Sequence, residues 1–176
     1  MPVFRTFGKD GNHPEIDWEA VYDEYFPRVY NYFRYLASSQ AVAEDLTATV
    51  FEKAWRGRDR YRPDRGAFST WLFALAKNVA REHFRRGNRE VPLEWAGGLA
   101  DPDPVEEAVA EQEDRARLVA LLEQLPRRER ELVALKYGAG LTNREIARLT
   151  GLGETNVGTI LYRVVQRLRE QWGEEL

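Results

Sequence analysis

The sequence predicts an all-α fold: two small helical domains joined by an acidic linker, the C-terminal one a helix-turn-helix. Three observations carry this. Apolar residues recur at helical spacing along most of the chain, and no stretch alternates with the period of a strand. The stretch Asp101 to Asp114 is acidic, interrupted by Pro and without a basic residue, between two arginine-rich segments. The stretch Leu141 to Arg169 reads as helix, tight turn, helix.

Taken in order, residues 1–14 form a flexible N-terminus whose Gly, Asn and Pro offer little to pack. Asp17 caps a helix from about Trp18 to Ser38, with Trp18, Val21, Tyr22, Tyr25, Phe26, Val29, Tyr30, Phe33 and Leu36 as core. Pro27 inside this pattern should kink or divide the helix. A second helix covers about Gln40 to Trp55. Val42, Leu46, Val50 and Ala54 face inward, Glu44, Asp45, Glu52 and Lys53 lie outside, and Phe51 and Trp55 make an i,i+4 apolar ridge.

The segment RGRDRYRPDRGAFSTWL follows. Arg56, Arg58, Arg60, Arg62 and Arg65 are interleaved with Tyr61, and Phe68 and Trp71 come next. Cations beside exposed rings suit single-stranded nucleic acid, because cations follow phosphates and rings receive unstacked bases. The competing reading is a charged loop with Phe68 and Trp71 in the core. A third helix starts at Ser69 or Thr70 and runs to about Arg86. Leu72, Leu75, Ala76 and Val79 line one face, and Lys77, Asn78, Arg81, Arg85 and Arg86 line a cationic one. Asn can read a base edge and Arg can hold phosphate; otherwise this is a solvated face.

The first domain spans residues 15–89, the linker 90–113 and the second domain 114–176. Pro92, Gly97-Gly98 and the Asp-Pro repeats break helix within the linker. The second domain opens with a helix near Glu113 to Gln124 carrying Leu118, Leu121 and Leu122. Pro126 opens another through Tyr137, with Leu132, Val133 and Leu135, and Gly138 and Gly140 end it. In the closing motif, Thr142 and Glu145 match a capping box and Gly151 supplies the turn. Val157, Ile160, Leu161, Val164 and Leu168 form the buried stripe of the last helix. Its other face shows Asn156, Thr159, Tyr162, Arg163, Gln166 and Arg167. A polar, cationic helix held at a fixed angle by a short partner fits the major groove of duplex DNA, although two helices joined by Gly also occur in ordinary bundles.

Composition narrows the chemistry. The chain has 176 residues and no cysteine, which rules out disulfides and thiolate metal sites. His13 and His83 stand far apart, so no metal or other cofactor is expected. No apolar run approaches the roughly 20 residues needed to cross a bilayer, and the N-terminus lacks the apolar core of a signal peptide. We therefore expect a cytoplasmic protein without membrane insertion. The net charge of −3 hides its distribution, with basic faces set against the acidic linker. No nucleophile–base pair or phosphate loop is present, and Glu44-Asp45 is a weak catalytic signal, so an enzyme is not expected.

Four stretches carry a resemblance: AEDLTATVFEKAWR at 43–56, FSTWLFALAKNVAREHFRR at 68–86, LPRRERELVALKY at 125–137 and LTNREIARLTGLGETNVGTILYRVVQRLR at 141–169. In this order and spacing, the chain resembles the extracytoplasmic-function (ECF) sigma factors, the smallest members of the sigma-70 family of bacterial RNA polymerase initiation factors. The likeness covers about Trp18 to Arg86 (region 2) and Val119 to Arg169 (region 4), with no recognisable region 1.1 or region 3.

The resemblance implies a promoter-specificity subunit that binds core RNA polymerase, recognises −35 and −10 elements and promotes strand opening. Asp45, Thr49, Phe51, Glu52 and Trp55 would dock on the β′ clamp coiled coil, and Leu132 and Leu135 would seat the second domain on the β flap. Arg58, Arg60, Tyr61, Phe68, Lys77, Asn78 and Arg81 would engage the −10 strand, with Tyr61, Phe68 and the loop at Gly66 near a captured base. Arg144, Thr155, Asn156, Thr159, Tyr162 and Arg163 would engage the −35 duplex. An anti-sigma partner is implied as well.

The chain departs from the family's pattern at three places. Ala48-Thr49 stands where Gln and an acid are frequent. Gly158 and Ile160 stand where the recognition helix often carries Lys or Arg, and Gly158 weakens the helix by about 1 kcal/mol relative to Ala. The chain ends soon after Arg169, so no further sensing domain is expected. The rival reading is a stand-alone repressor or activator that dimerises on palindromic half-sites about one helical turn apart. Another rival is an enzyme or an anti-sigma-like adaptor.

Overall fold

The computed structural model describes residues 4–5, 15–90 and 108–174, and the expectations for the rest of the N-terminus and most of the linker fall outside them. The described residues are helical apart from a two-residue antiparallel ladder, in which Phe4 pairs with Ile16 and Arg5 with Glu15. That ladder ties the N-terminus to the start of the first helix and was not legible in the sequence.

Helix α1, Trp18–Leu36, is capped by Asp17, whose carboxylate accepts from the Ala20 amide at 3.2 Å. It continues through Pro27 as one helix rather than dividing there. Pro27 and Asp23 are both exposed, so the carbonyl that proline leaves without an amide donor faces water. Helix α2, Gln40–Arg56, is capped by Ser39 and buries Ala43, Leu46, Thr47, Val50 and Ala54. Ala43 thus takes the fully buried place expected for Val42, which is half-buried. Short 3-10 turns, Arg58–Arg60 and Pro63–Arg65, carry the basic loop to α3, Phe68–Glu90.

In the second half, α4, Ala108–Glu123, begins inside the expected linker. Helix α5, Arg127–Val133, passes into one π-helical turn, Ala134–Gly138. Helix α6, Asn143–Thr150, has the full capping box: Thr142 accepts from the Glu145 amide, and the Glu145 carboxylate accepts from the Thr142 amide at 2.8 Å. Gly151 ends α6 with φ of 72°, a left-handed conformation that glycine adopts without steric cost. Helix α7, Glu154–Glu174, is pinned at its far end, where the Arg117 guanidinium donates to the Trp172 carbonyl at 2.6 Å and stacks on its ring. The Arg167 guanidinium also pairs with Glu129 of α5. Gly158 lets α6 and α7 pack closely, since a Cβ there would sit 3.3 Å from the Asn143 side-chain nitrogen. Its departure from the family's pattern is thus a packing feature of the motif.

The two halves pack together, and their buried residues form one continuous cluster. The π turn lies against α1. A Cβ on Gly138 would sit 2.9 Å from the Asn31 carbonyl oxygen and 3.0 Å from the Tyr32 Cα, so only glycine fits. Around this approach the bonds are polar. The Arg28 Nε donates to the Ala139 carbonyl at 2.8 Å, and the Arg130 Nε donates to the Tyr35 carbonyl at 2.8 Å. Ser38 donates to Glu123.

Candidate nucleic-acid interface

Helix α7 carries the clearest face for duplex DNA. Thr155, Asn156, Thr159, Tyr162 and Arg163 are all exposed on it, Tyr162 by 68%. The face exists because Val157, Leu161 and Val164 take the buried side, as the spacing predicts. The Thr159 hydroxyl is turned back to the Thr155 carbonyl at 3.0 Å. Arg144 lies beside this face, 3.4 Å from Glu154 and highly exposed, so water screens the pair and the guanidinium can exchange it for a phosphate.

Helix α3 presents its polar side differently. Asn78 and Arg81 are exposed. Lys77 is not: its side chain is 12% exposed, and its ammonium donates to the Leu149 carbonyl at 2.7 Å and lies 3.6 Å from Glu131. Both partners belong to the second half. About two turns earlier, the buried Ser69 hydroxyl donates to Glu145 at 2.6 Å. Burial pushes the Glu145 carboxyl up, but hydrogen bonds from Ser69 and Thr142, with the Arg28 charge, outweigh it. They hold the group below the usual carboxylate range. The capping box of the helix-turn-helix therefore also binds the first half.

The basic loop is folded over an aromatic cluster. Phe68 sits 5.3 Å from Tyr25, from Tyr61 and from Trp71, and 6.5 Å from Trp18. Tyr61 and Phe68 are 4% and 3% exposed, and the Tyr61 hydroxyl donates to the Gly66 carbonyl at 3.2 Å. The expectation that these two rings receive bases is corrected here: other rings already occupy their faces. They shape the loop from inside while Arg60 projects into solvent. Arg58 donates to the Trp55 carbonyl at 2.8 Å and stacks on its ring at 4.4 Å.

A second exposed surface lies on α1 and α2. Asp45 and Glu52 are exposed, Thr49 and Phe51 are half-buried, and Trp55 is 50% exposed. Tyr22, which the helical pattern assigned to the core, is also half exposed and packs 5.3 Å from Phe51 and 4.8 Å from Phe26. The sequence signal was present, because Tyr22, Phe26 and Tyr30 recur at i,i+4 as a separate stripe of α1. Leu132 and Leu135 require the opposite correction. They are 1% and 0% exposed, core residues covered while the two halves stay packed together. The neighbouring exposed apolar group is Tyr137.

Two helical units in this order, the first with an aromatic-acidic patch and a cationic helix and the second with a capped helix-turn-helix, define the architecture of an RNA polymerase sigma factor. Family models agree: the one described as Sigma-70 region 2 matches residues 21–90, and the one described as Sigma-70, region 4 matches residues 115–168. The chain belongs to the sigma-70 family, whose members are regulatory subunits.

Its relatives place it in the ECF group. It is 31% identical to the ECF RNA polymerase sigma factor BldN of Streptomyces coelicolor over 84% of this chain. There it spans 57% of the relative's length. It is 28% identical to the ECF RNA polymerase sigma factor RpoE of Cereibacter sphaeroides, covering 89% of this chain and 86% of that one. The fold matches the sigma factor RpoE of Bartonella quintana, solved in complex with the anti-sigma factor NepR. The TM-score is 0.71 at 22% identity, over 88% of this chain and 95% of that one. Among the described residues no helix is long and apolar enough to cross a membrane, and no group of His, Asp or Glu could hold a metal ion.

Proposed function

We propose that this chain directs core RNA polymerase to promoters, acting in the cytoplasm without catalysing a reaction itself. The observation that carries the reading is the exposed, hydrogen-bonding face of α7 on a capped helix-turn-helix, following a region 2 unit in one chain. The region 2 unit is taken as residues 15–89 and the region 4 unit as residues 114–176.

Thr155, Asn156, Thr159, Tyr162 and Arg163 read the −35 duplex, and Arg144 holds a phosphate. Asn78, Arg81 and Lys77 read the −10 strand, with Arg58 and Arg60 following its backbone. Asp45, Thr49, Phe51, Glu52 and Trp55 dock on the β′ clamp, and Tyr22 extends that patch. The β flap is met by the part of the second unit that α1 covers at rest, the π turn with Leu135 and Tyr137 and the adjoining Leu132. Strand opening exchanges stacking energy for protein contacts to unpaired bases.

Lys77 cannot reach DNA while Leu149 and Glu131 hold it. The packed arrangement is therefore the resting form, and the two units separate on the polymerase. A protein that clasps both units, as an anti-sigma factor would, holds the resting form.

The test is reconstitution with a bacterial core polymerase, then transcription from a randomised promoter library. Co-elution with core, and transcripts sharing one −35/−10 pair, are expected. Failure to bind a matched core, together with tight palindrome binding by the chain alone, would replace this reading with a dimeric repressor.

A further inference from the structure

The two halves enclose a cleft of about 550 Å³ between α1, α3, α4 and α5. Four cations line it, Lys77, Arg81, Arg127 and Arg130, against two acids, Glu123 and Glu131. The acids are already engaged, Glu131 with Lys77 and Glu123 with Ser38. Arg81 and Arg127 make no ion pair among the described residues; Arg127 stacks over the Phe84 ring at 5.5 Å.

Two further donors in the lining are buried and unmatched. The Tyr32 hydroxyl, on a side chain with no exposed surface, has no hydrogen-bond partner among the described residues. Neither does one terminal nitrogen of Arg130, although that residue's Nε is satisfied by Tyr35. Leaving a buried donor unmatched is costly, so such groups ordinarily have a partner.

From this we infer that the cleft is a binding site for a small phosphorylated molecule of about mononucleotide size. The donors come from three helices: Tyr32 on α1, Arg81 on α3, and Arg127 and Arg130 on α5. A planar carboxylate offers two oxygens, whereas a phosphoryl group offers three and up to two charges, which matches the excess of two cations. The volume exceeds a bare phosphate and falls within the usual range of ligand pockets. Leu36, Leu125 and Phe84 supply an apolar wall for the organic part. Since both halves line the cleft, a bound ligand holds them together and keeps Lys77 from the −10 strand.

The site is tested on the full chain without polymerase, so its failure is distinct from failure of the sigma reading. Thermal midpoints are measured with pyrophosphate, with AMP and with a five-nucleotide single-stranded DNA, each at ionic strength matched with NaCl. AMP or pyrophosphate should raise the midpoint saturably, by about 5 °C or more at a hundredfold excess over Kd. Arg127→Gln, on an exposed residue, should weaken this binding about tenfold. Tyr32→Phe should do the same while leaving the ligand-free midpoint level or higher, because it removes an unmatched hydroxyl. Gly138→Val, which parts the halves, should abolish it.

No rise above the NaCl control would overturn the inference, as would a rise unchanged in all three variants. Equal binding of the oligonucleotide per phosphate would also overturn it, since the site would then be one for the DNA backbone.

Discussion

The outer face of α7 and the outer face of α3 are the two surfaces proposed to meet DNA, and the molecule treats them differently. On α7 every proposed reader stands in solvent, and the bond between two of them, from the Thr159 hydroxyl to the Thr155 carbonyl, stays within the helix. On α3 the central reader, Lys77, is held by a carbonyl and a carboxylate of the other half. The surface proposed to read duplex is presented, while Lys77 of the surface proposed to read a single strand is held. That asymmetry suits a protein that should not melt DNA before it meets its polymerase. Under the proposed function, control of melting lies in the interface between the halves.

The largest break in this comparison comes from Gly138. Its φ is not positive, so the π turn itself tolerates a side chain. What does not tolerate one is the α1 backbone, 2.9 Å from the would-be Cβ. Gly138→Val should therefore separate the halves with each helical unit intact. Small-angle scattering should show a radius of gyration above the roughly 16 Å of a compact chain this size, with helical content by circular dichroism unchanged. An unchanged radius would mean the interface can repack around the new side chain.

A smaller effect sharpens the contrast between the two faces. Asn156→Ala or Arg163→Ala should lose about 1–3 kcal/mol in −35 duplex binding, equally in the wild-type and Gly138→Val backgrounds. Arg81→Ala should weaken binding of a −10 single strand in the Gly138→Val background and leave the weaker wild-type binding nearly unchanged. Equal losses in both backgrounds would show that α3 is already accessible at rest.

Lys77→Met tests the hold on α3 directly. It removes a charge-assisted bond of a largely buried ammonium, so the packed form should weaken by about 2 kcal/mol. The measurable result is faster hydrogen exchange at the α3 and α6 contacts, with each half's own core unaffected. Unchanged exchange there would mean that Gly138 and Arg28 suffice to hold the halves.

Much of this could be read from the sequence, because helical spacing reports which residues share a face. It gave most of the buried stripes of α2, α3 and α7, although Ala43 stands in for Val42 on α2 and Phe73 was missed on α3, and the Thr142–Glu145 box followed from residue types alone. What spacing cannot report is what covers a face. Tyr22 shares α1 with Val21 and Tyr25, yet Phe26 and Phe51 cover only part of it, and half of it remains exposed. Tyr61 and Phe68 look like rings set among cations, and they are buried because Trp18, Tyr25 and Trp71 close around them. Leu132 and Leu135 are sealed by their own half and its neighbour. Gly138 reads as a helix terminator; its role against Asn31 and Tyr32 depends on a contact more than 100 residues away in sequence.

The smallest effect concerns Glu145, where the comparison becomes pH-dependent. Its folded carboxyl is held below the ordinary range by Ser69, Thr142 and Arg28, against the opposing pull of burial. A depressed carboxylate contributes stability that is full above the unfolded value and is lost as pH falls through the folded one. Acidification from neutral into and below the carboxylate range should therefore loosen both α6 capping and the Ser69 contact, leaving the α7 face itself intact. Glu145→Gln removes the charge, so this part of the acid dependence should vanish while the neutral-pH interface is weaker from the start. Exchange rates at Ser69 and Thr142 across the acid range distinguish the outcomes. If Glu145→Gln retains the full acid dependence, Glu145 does not set it.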